Sequence, residues 1–377
     1  MKLEVSSHAG STSGLIDTPG LDSERTLVLA FFSPQLGQEP QLLGELARAY
    51  PRSKILGCST AGEIFGTKIS DGSLTLAVAR FDASRLASAG AVVGSPSESF
   101  DAGVAVARNL IAPDLRAVLV LSDGMLVNGS QLVRGLNAVL PTSVVVTGGL
   151  AGDGDRFKRT WVLRDGVPQS GWVSAVGFYG DRLRVGHGSK GGWDIFGPER
   201  IVTRSEGNVL HELDGRPALQ LYKDYLGERA AGLPATALLF PLSLREGPHS
   251  DKSLVRTVLS VDEASQSMTF AGDIPQGFHA QLMRANFDRL VQGAVDAASL
   301  ASAVRSAQGD TLAVAISCVG RRVVLGERTE EEVEATLDAM PGVKQVGFYS
   351  YGEISPYATG CCDLHNQTMT LTTLGEG

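Results

Sequence analysis

Apolar residues along the chain gather into short runs separated by amphipathic stretches, and the alternation recurs three times. Leu27 to Phe32, Ala117 to Ser122 and Thr311 to Cys318 are continuous runs, rich in β-branched and aliphatic residues, that suit strands buried on both faces. A helix is predicted after each. Leu42, Leu43, Leu46, Ala49 and Tyr50 recur at three- and four-residue spacing, as do Leu132, Leu136, Val139 and Leu140, then Val333, Leu337 and Met340. Each set places one apolar stripe toward a core. Pro51, Pro141 and Pro341 stop these helices, because proline lacks the N–H an internal turn requires. A second apolar strand follows at Lys54 to Gly57, Ser143 to Thr147 and Lys344 to Phe348, and a loop of small residues closes the unit. Further strands are predicted at Ser73 to Phe81, Gly171 to Tyr179 and Thr368 to Leu374.

The recurrence is also one of residues. An offset of 90 places Pro51 over Pro141 and Ala61-Gly62-Glu63 over Ala151-Gly152-Asp153, and an offset of 290 places Gly57 over Gly347 and Gly62-Glu63-Ile64 over Gly352-Glu353-Ile354. The pattern predicts an α/β protein: two related modules of mixed β-sheets flanked by helices, built from a repeated strand-helix-strand-loop unit. Residues 27–94 and 117–192 are expected to superpose. Helix signals at Arg216 to Leu226 and Phe278 to Ala303 lie between the second and third copies. The expected division is an N-terminal extension over 1–24, a module over 25–210 and a second over 211–377.

Composition narrows the function classes. The chain has 377 residues, 43% hydrophobic and 20% charged, enough for two or more ordinary cores. The opening residues lack the charged and apolar regions of a secretion signal, and no apolar stretch approaches the ~20 residues of a spanning helix, so a cytoplasmic protein without a membrane segment is expected. A formal charge of −8 disfavours unselective attraction to nucleic acid. Cys58, Cys318, Cys361 and Cys362 form no CxxC pair, and the six histidines form no HxH or HExxH cluster, so neither a zinc nor a dithiol redox site is indicated.

The candidate chemistry sits in the recurring loop. Gly57-Cys-Ser-Thr-Ala-Gly-Glu-Ile64 is not a G-x-S-x-G elbow, and its third-copy equivalent, Gly347-Phe-Tyr-Ser-Tyr-Gly-Glu-Ile354, has no thiol where Cys58 stands. Glycine and carboxylate are what recur. Glycine lets the backbone turn sharply or approach a ligand, and a glutamate there accepts hydrogen bonds either from a ligand or from the turn itself. Cys58, Ser59, Gly62, Glu63, Ser350, Gly352, Glu353 and Asn366 are therefore candidate ligand contacts, with the Gly62–Glu63 and Gly352–Glu353 loops expected to line a shared pocket. Thr147 to Asp155 is glycine-rich but carries two acids and no following Lys-Ser/Thr, which argues against a phosphate cradle. His187 lies between Gly186 and Gly188, with Arg182, Arg184 and Lys190 within five residues, a setting that offers haem an axial nitrogen and cations for its propionates. A hydrogen-bonded loop histidine is the plainer reading of the same residues.

These segments resemble the FIST family. Its N-terminal module carries a strand followed by a motif like Gly57 to Ile64, and its C-terminal module ends in a segment similar to Gly347 to Ile354 followed by a pair such as His365-Asn366. Val202-Thr203, Gly207 to Val209 and Glu212 to Leu219 resemble the family's junction between modules. The resemblance covers nearly the whole chain and implies a sensory ligand-binding protein rather than an enzyme. A bacterial subset of the family, the NosP proteins, binds haem, senses nitric oxide and alters partner histidine kinases or cyclic-di-GMP enzymes; other members are proposed to bind small ligands such as amino acids. The resemblance thus implies a haem-based nitric oxide sensor acting on such a partner, with His187 as axial ligand and His279 and His365 as rivals. A sensor of a small polar metabolite anchored by Glu63 and Glu353 is the alternative, and a hydrolase using Cys58 or Ser59 the third class. A homodimer is compatible with either sensor.

Overall fold

The computed structural model describes every residue except 10–18, 39, 251, 304–308 and 358–359. Residues 10–18 belong to the expected N-terminal extension, and that part of it lies outside the described residues.

Three units of one topology surround a common core. In the first, strand Thr26–Phe32 runs parallel to Lys54–Ser59 through helix Pro40–Ala49 and pairs on its other side with antiparallel Ser73–Arg80. In the second, Leu115–Ser122 and Val145–Leu150 are the parallel pair, joined through helix Gly129–Asn137, and Trp172–Tyr179 is the antiparallel partner. In the third, the same roles fall to Leu312–Cys318, Lys344–Ser350 and Met369–Glu376. Both runs Leu27 to Phe32 and Ala117 to Ser122 are thus buried strands in equivalent places.

Burial on both faces does not mean the faces are equivalent. Along Thr26–Phe32 the side chains alternate: Val28, Ala30 and Phe32 meet Leu43 and Leu46 of the covering helix, while Leu27, Leu29 and Phe31 join the central core. That core takes Leu119 and Leu121 from the second unit and Val314, Ile316 and Phe348 from the third, with Phe31 and Phe348 at 4.8 Å between ring centroids.

The units are tied by exchanged hairpins. After its second parallel strand each unit sends a short hairpin onto the sheet of a neighbour: Glu63–Phe65 and Lys68–Ser70 onto Lys344–Ser350 of the third, Val162–Arg164 and Val167–Gln169 onto Lys54–Ser59 of the first, Gly352–Pro356 and Cys362–His365 onto Val145–Leu150 of the second. The exchange closes in a ring. The last strand also returns to the first unit, where Glu376 accepts the backbone N–H groups of Asp82, Ala83 and Ser84 at 2.6–3.0 Å.

The third unit starts early, with strand Leu183–Lys190 pairing to Met369–Glu376, and between that strand and helix Phe287–Ser302 the chain inserts a further, eight-stranded sheet with helix Ala218–Leu226 on it. Residue 210 falls inside a strand of this insertion, Val209–Leu213. The helix expected over 216–226 begins at Ala218, because Arg216–Pro217 pairs with Glu212 and Leu213. The helix expected over 278–303 is a strand, His279–Arg284, and then a helix capped by the Asn286 side chain, which accepts from Arg289 N. Ala280 and Leu282 alternate with His279 and Gln281, a period of two that wins over helical propensity once a sheet is there to receive it. Among the described residues no helix is long and apolar enough to cross a membrane.

Candidate functional site

In α/β sheets the loops beyond the carboxyl ends of the parallel strands gather at one edge and leave room between them. Here that room is a cavity of about 500 Å³, walled by the loop Gly124 to Gly129 after the second unit's first strand, by Leu150 at the end of its second, by Cys318 to Gly320 after the third unit's first strand, and by the inserted sheet at Thr257, Leu259 and Phe270 to Gly272. Its walls therefore come from the second unit, the third unit and the insertion. Among the described residues no charged side chain lines it; the polar ones include Asn128, Asn208, Thr257 and Tyr351. The Thr257 hydroxyl is buried there without a hydrogen-bond partner.

The mouth is built by an acid. Asp153 stands where the offset alignment places Glu63 and Glu353, but it serves a longer loop: its carboxylate accepts the N–H groups of Phe157, Lys158 and Arg159 at 2.9–3.0 Å and the Tyr351 hydroxyl. Burial works against its charge, but these donors outweigh it and hold the carboxyl below the usual range. The result brings Phe157, 47% exposed and at φ +49°, flat against Tyr351 at the edge of the cavity.

The two family-like motifs meet directly. Ala61 N–H donates to Tyr349 O and Tyr349 N–H to Gly62 O, both at 2.8 Å. Gly62 holds φ +130°, and a Cβ there would stand 2.4 Å from Arg322 Nη1, so glycine alone satisfies both the backbone and the neighbour. Arg322 fills that space with a bidentate pair to Asp71 and a bond to Ala61 O, each at 2.7 Å, clamping the third unit to the first.

The shared pocket expected between the two glutamates is replaced by this contact. Glu63 accepts from the Thr60 hydroxyl and from Ser73 N and Oγ at 2.9 and 2.8 Å; Glu353 repeats the device with Ser350 Oγ at 2.6 Å and Thr368 Oγ1 at 2.9 Å. Both carboxyls hold their own loops. Burial raises both, and Glu353 reaches about 8. Ser59 Oγ donates to Gly152 O at 2.8 Å and accepts Trp161 N–H at 2.9 Å, tying first unit to second. Cys58 is wholly buried in the central core, and burial pushes its thiol well up. Gly352 pairs with Leu150, and Asn366 donates to His365 O at 3.0 Å while its Oδ1 finds no partner. None of the eight candidate ligand contacts lines the cavity; from the same motif it is Tyr351 that does.

The three histidines weighed as haem ligands lie apart from the cavity. Gly186 and Gly188 admit the carbonyls of Ala301 and Ala297 on helix Phe287–Ser302, where a Cβ would sit 1.9 and 2.1 Å away. The approach they allow is that of a helix. His187, between them, points to the opposite face of its strand; its Nδ1 is buried and unpartnered, burial lowers its pKa, and it is not among the residues that wall the cavity. Arg182 and Arg184 bond to the carbonyls of Gly377, Asp181 and Leu183. His279 is bonded to Glu199 at 2.8 Å, and His365 Nε2 donates to Ser355 O at 2.9 Å, the ring kept neutral by burial that lowers it to about 4. Among the described residues no histidine lines the cavity wall, so the residues of this cavity do not fit a His-ligated haem.

Comparison with known proteins places this architecture. The FIST N domain matches residues 26–216 and the FIST C domain residues 218–356. Two uncharacterized proteins of Mycobacterium tuberculosis, from strains CDC 1551 and H37Rv, are each 28% identical over 266 residues, 67% of this chain and 66% of their own length. The alignment thus spans just under two thirds of these relatives. Among solved structures, cyanuric acid hydrolase from A. caulinodans aligns over 99% of both chains at 9% identity with a TM-score of 0.35, a likeness too low to carry an argument. The chain belongs to the FIST family, a family of signal-transduction sensors.

Proposed function

We propose that this protein senses a small, largely apolar organic molecule held in the cavity between the second unit, the third unit and the inserted sheet, and passes occupancy to a separate signalling protein such as a histidine kinase or a cyclic-di-GMP enzyme. The carrying observation is the cavity itself: about 500 Å³, walled by three parts of the fold, with the unpartnered hydroxyl of Thr257 buried in its wall. Sensing rather than catalysis is supported by the state of the two nucleophile candidates, since Cys58 is sealed in the core and both hydrogen-bonding capacities of Ser59 are used by backbone.

Thermal-shift screening of a metabolite library tests this, because a ligand that binds only the folded state raises the melting temperature. Leu259→Trp, which fills the cavity from a half-exposed position, is expected to abolish the shift. Titration with haemin is the opposing arm: a Soret band lost in His187→Ala would overturn the proposal in favour of haem.

A further inference from the structure

The end of the cavity formed by the inserted sheet is electrostatically unlike the rest. Arg256, the last residue of strand Ser253–Arg256, is buried at 4% exposure, and its guanidinium packs against Gly272 of the cavity wall: a Cβ at Gly272 would lie 2.9 Å from Nε and 3.1 Å from Cζ. Its hydrogen bonds go to carbonyls, Asp273 O at 3.1 Å, Val255 O at 3.2 Å and Leu364 O at 3.0 Å, and among the described residues it forms no ion pair. Asp273 and Asp363 act on it only at longer range, the first occupied by Asn128 and Gln131 and the second by Lys252. Burial lowers this arginine to about 10, which leaves it charged at neutral pH. A buried charge without a counter-ion is expensive unless something compensates it. Next to it in sequence, Thr257 lines the same cavity, and its hydroxyl is buried in the wall without a partner.

We infer that the cavity's ligand is an amphipathic monocarboxylate, its anionic head accepting from the Thr257 hydroxyl beside the uncompensated Arg256 and its apolar body lying against Met125, Leu150 and Phe270. The inference rests on the ligand-sensing reading of the same cavity. The carboxylate supplies the missing counter-charge through the thin Gly272 wall, where any larger residue would intrude. An amino acid fits less well, because no carboxylate lines the cavity to receive its ammonium group.

Matched probes separate head from body. Calorimetric titration at neutral pH with 4-phenylbutyrate and with neutral 4-phenylbutyramide should give about tenfold tighter binding of the carboxylate. Thr257→Val, which removes only an unpartnered hydroxyl and so leaves the fold intact, should collapse that preference. Leu259→Trp should abolish binding of both. Equal binding of the two probes, or tighter binding of phenylalanine, overturns the carboxylate head and leaves the cavity reading standing. Binding that survives Leu259→Trp, or no binding of any probe at millimolar concentration, overturns both.

Discussion

The ring of Phe157 lies on that of Tyr351, 4.6 Å between centroids and 16° from parallel, while the Tyr351 hydroxyl and the Phe157 N–H converge on one carboxylate, Asp153. A residue of the third unit thereby fixes a loop of the second at the mouth of the cavity. Occupancy that disturbs this stack reaches both units at once.

Tyr351→Phe keeps the stack but removes the hydroxyl's bond to the Asp153 carboxylate and leaves the Asp153 N–H, which donates to that hydroxyl at 3.1 Å, without its acceptor, an expected loss of about 1.5–3 kcal/mol in urea denaturation. Phe157→Ala, at a half-exposed position, should leave the denaturation midpoint nearly unchanged and speed the dissociation of any cavity ligand. Stopped-flow release of 4-phenylbutyrate checks it.

Arg321 and Glu332 form a fully buried ion pair at 2.7 Å, extended by Ser317 and Tyr349 hydroxyls, each at 2.8 Å from Glu332. Arg321→Met leaves the carboxylate uncompensated and is expected to cost about 3–5 kcal/mol. Adding Glu332→Leu removes the stranded charge, and denaturation of the double variant should recover part of the loss.

Gly188→Ala drives a methyl group into the Ala297 carbonyl. Overpacking of this kind costs about 1–3 kcal/mol, and a calorimetric melt of the variant reads it. An unchanged melting temperature would mean the helix does not pack on this strand.

Glu353 gives a pH dependence of definite sign. Its folded pKa, raised to about 8, exceeds that of an unfolded glutamate, so the folded state holds the extra proton and stability falls as pH rises from about 4.5 toward 8. Glu63, raised for the same reason, adds to the same slope. His365, lowered to about 4, acts oppositely and only as pH drops below about 6.5. Urea midpoints between pH 6.5 and 8 should therefore decline for the native chain and decline less for Glu353→Gln.

The strands Leu27 to Phe32 and Lys344 to Phe348 and the helix before Pro341 were legible because each buries a stripe at one clean period, and a period is a local property of sequence. Family membership was legible from Gly57 to Ile64 and Gly347 to Ile354. What those motifs do was not: Glu63 and Glu353 satisfy their own turns, a role that residue type does not separate from ligand contact. The strand His279–Arg284 read as helix because Phe278 to Ala303 is apolar at both periods near its start. The cavity left no trace in spacing, since Gly124, Thr257, Gly320 and Tyr351 meet only after an eight-stranded sheet is inserted between two strands of one unit. Its one sequence signal was positional: Cys318-Val-Gly320 and Asp123-Gly-Met125 follow the carboxyl ends of predicted parallel strands, where binding loops gather.

The ring of exchanged hairpins has a consequence for synthesis. No unit can finish its own sheet, because each waits for an edge made by another, and Met369–Glu376 must seat between Leu312–Cys318 and Leu183–Lys190 before the third sheet exists. An emerging chain therefore carries open strand edges until Met369–Glu376 leaves the ribosome, and its slow step is the joining of residues far apart in sequence. The protein should refold slowly and call on chaperones, and the segment matching the FIST N domain, expressed alone, should aggregate rather than fold.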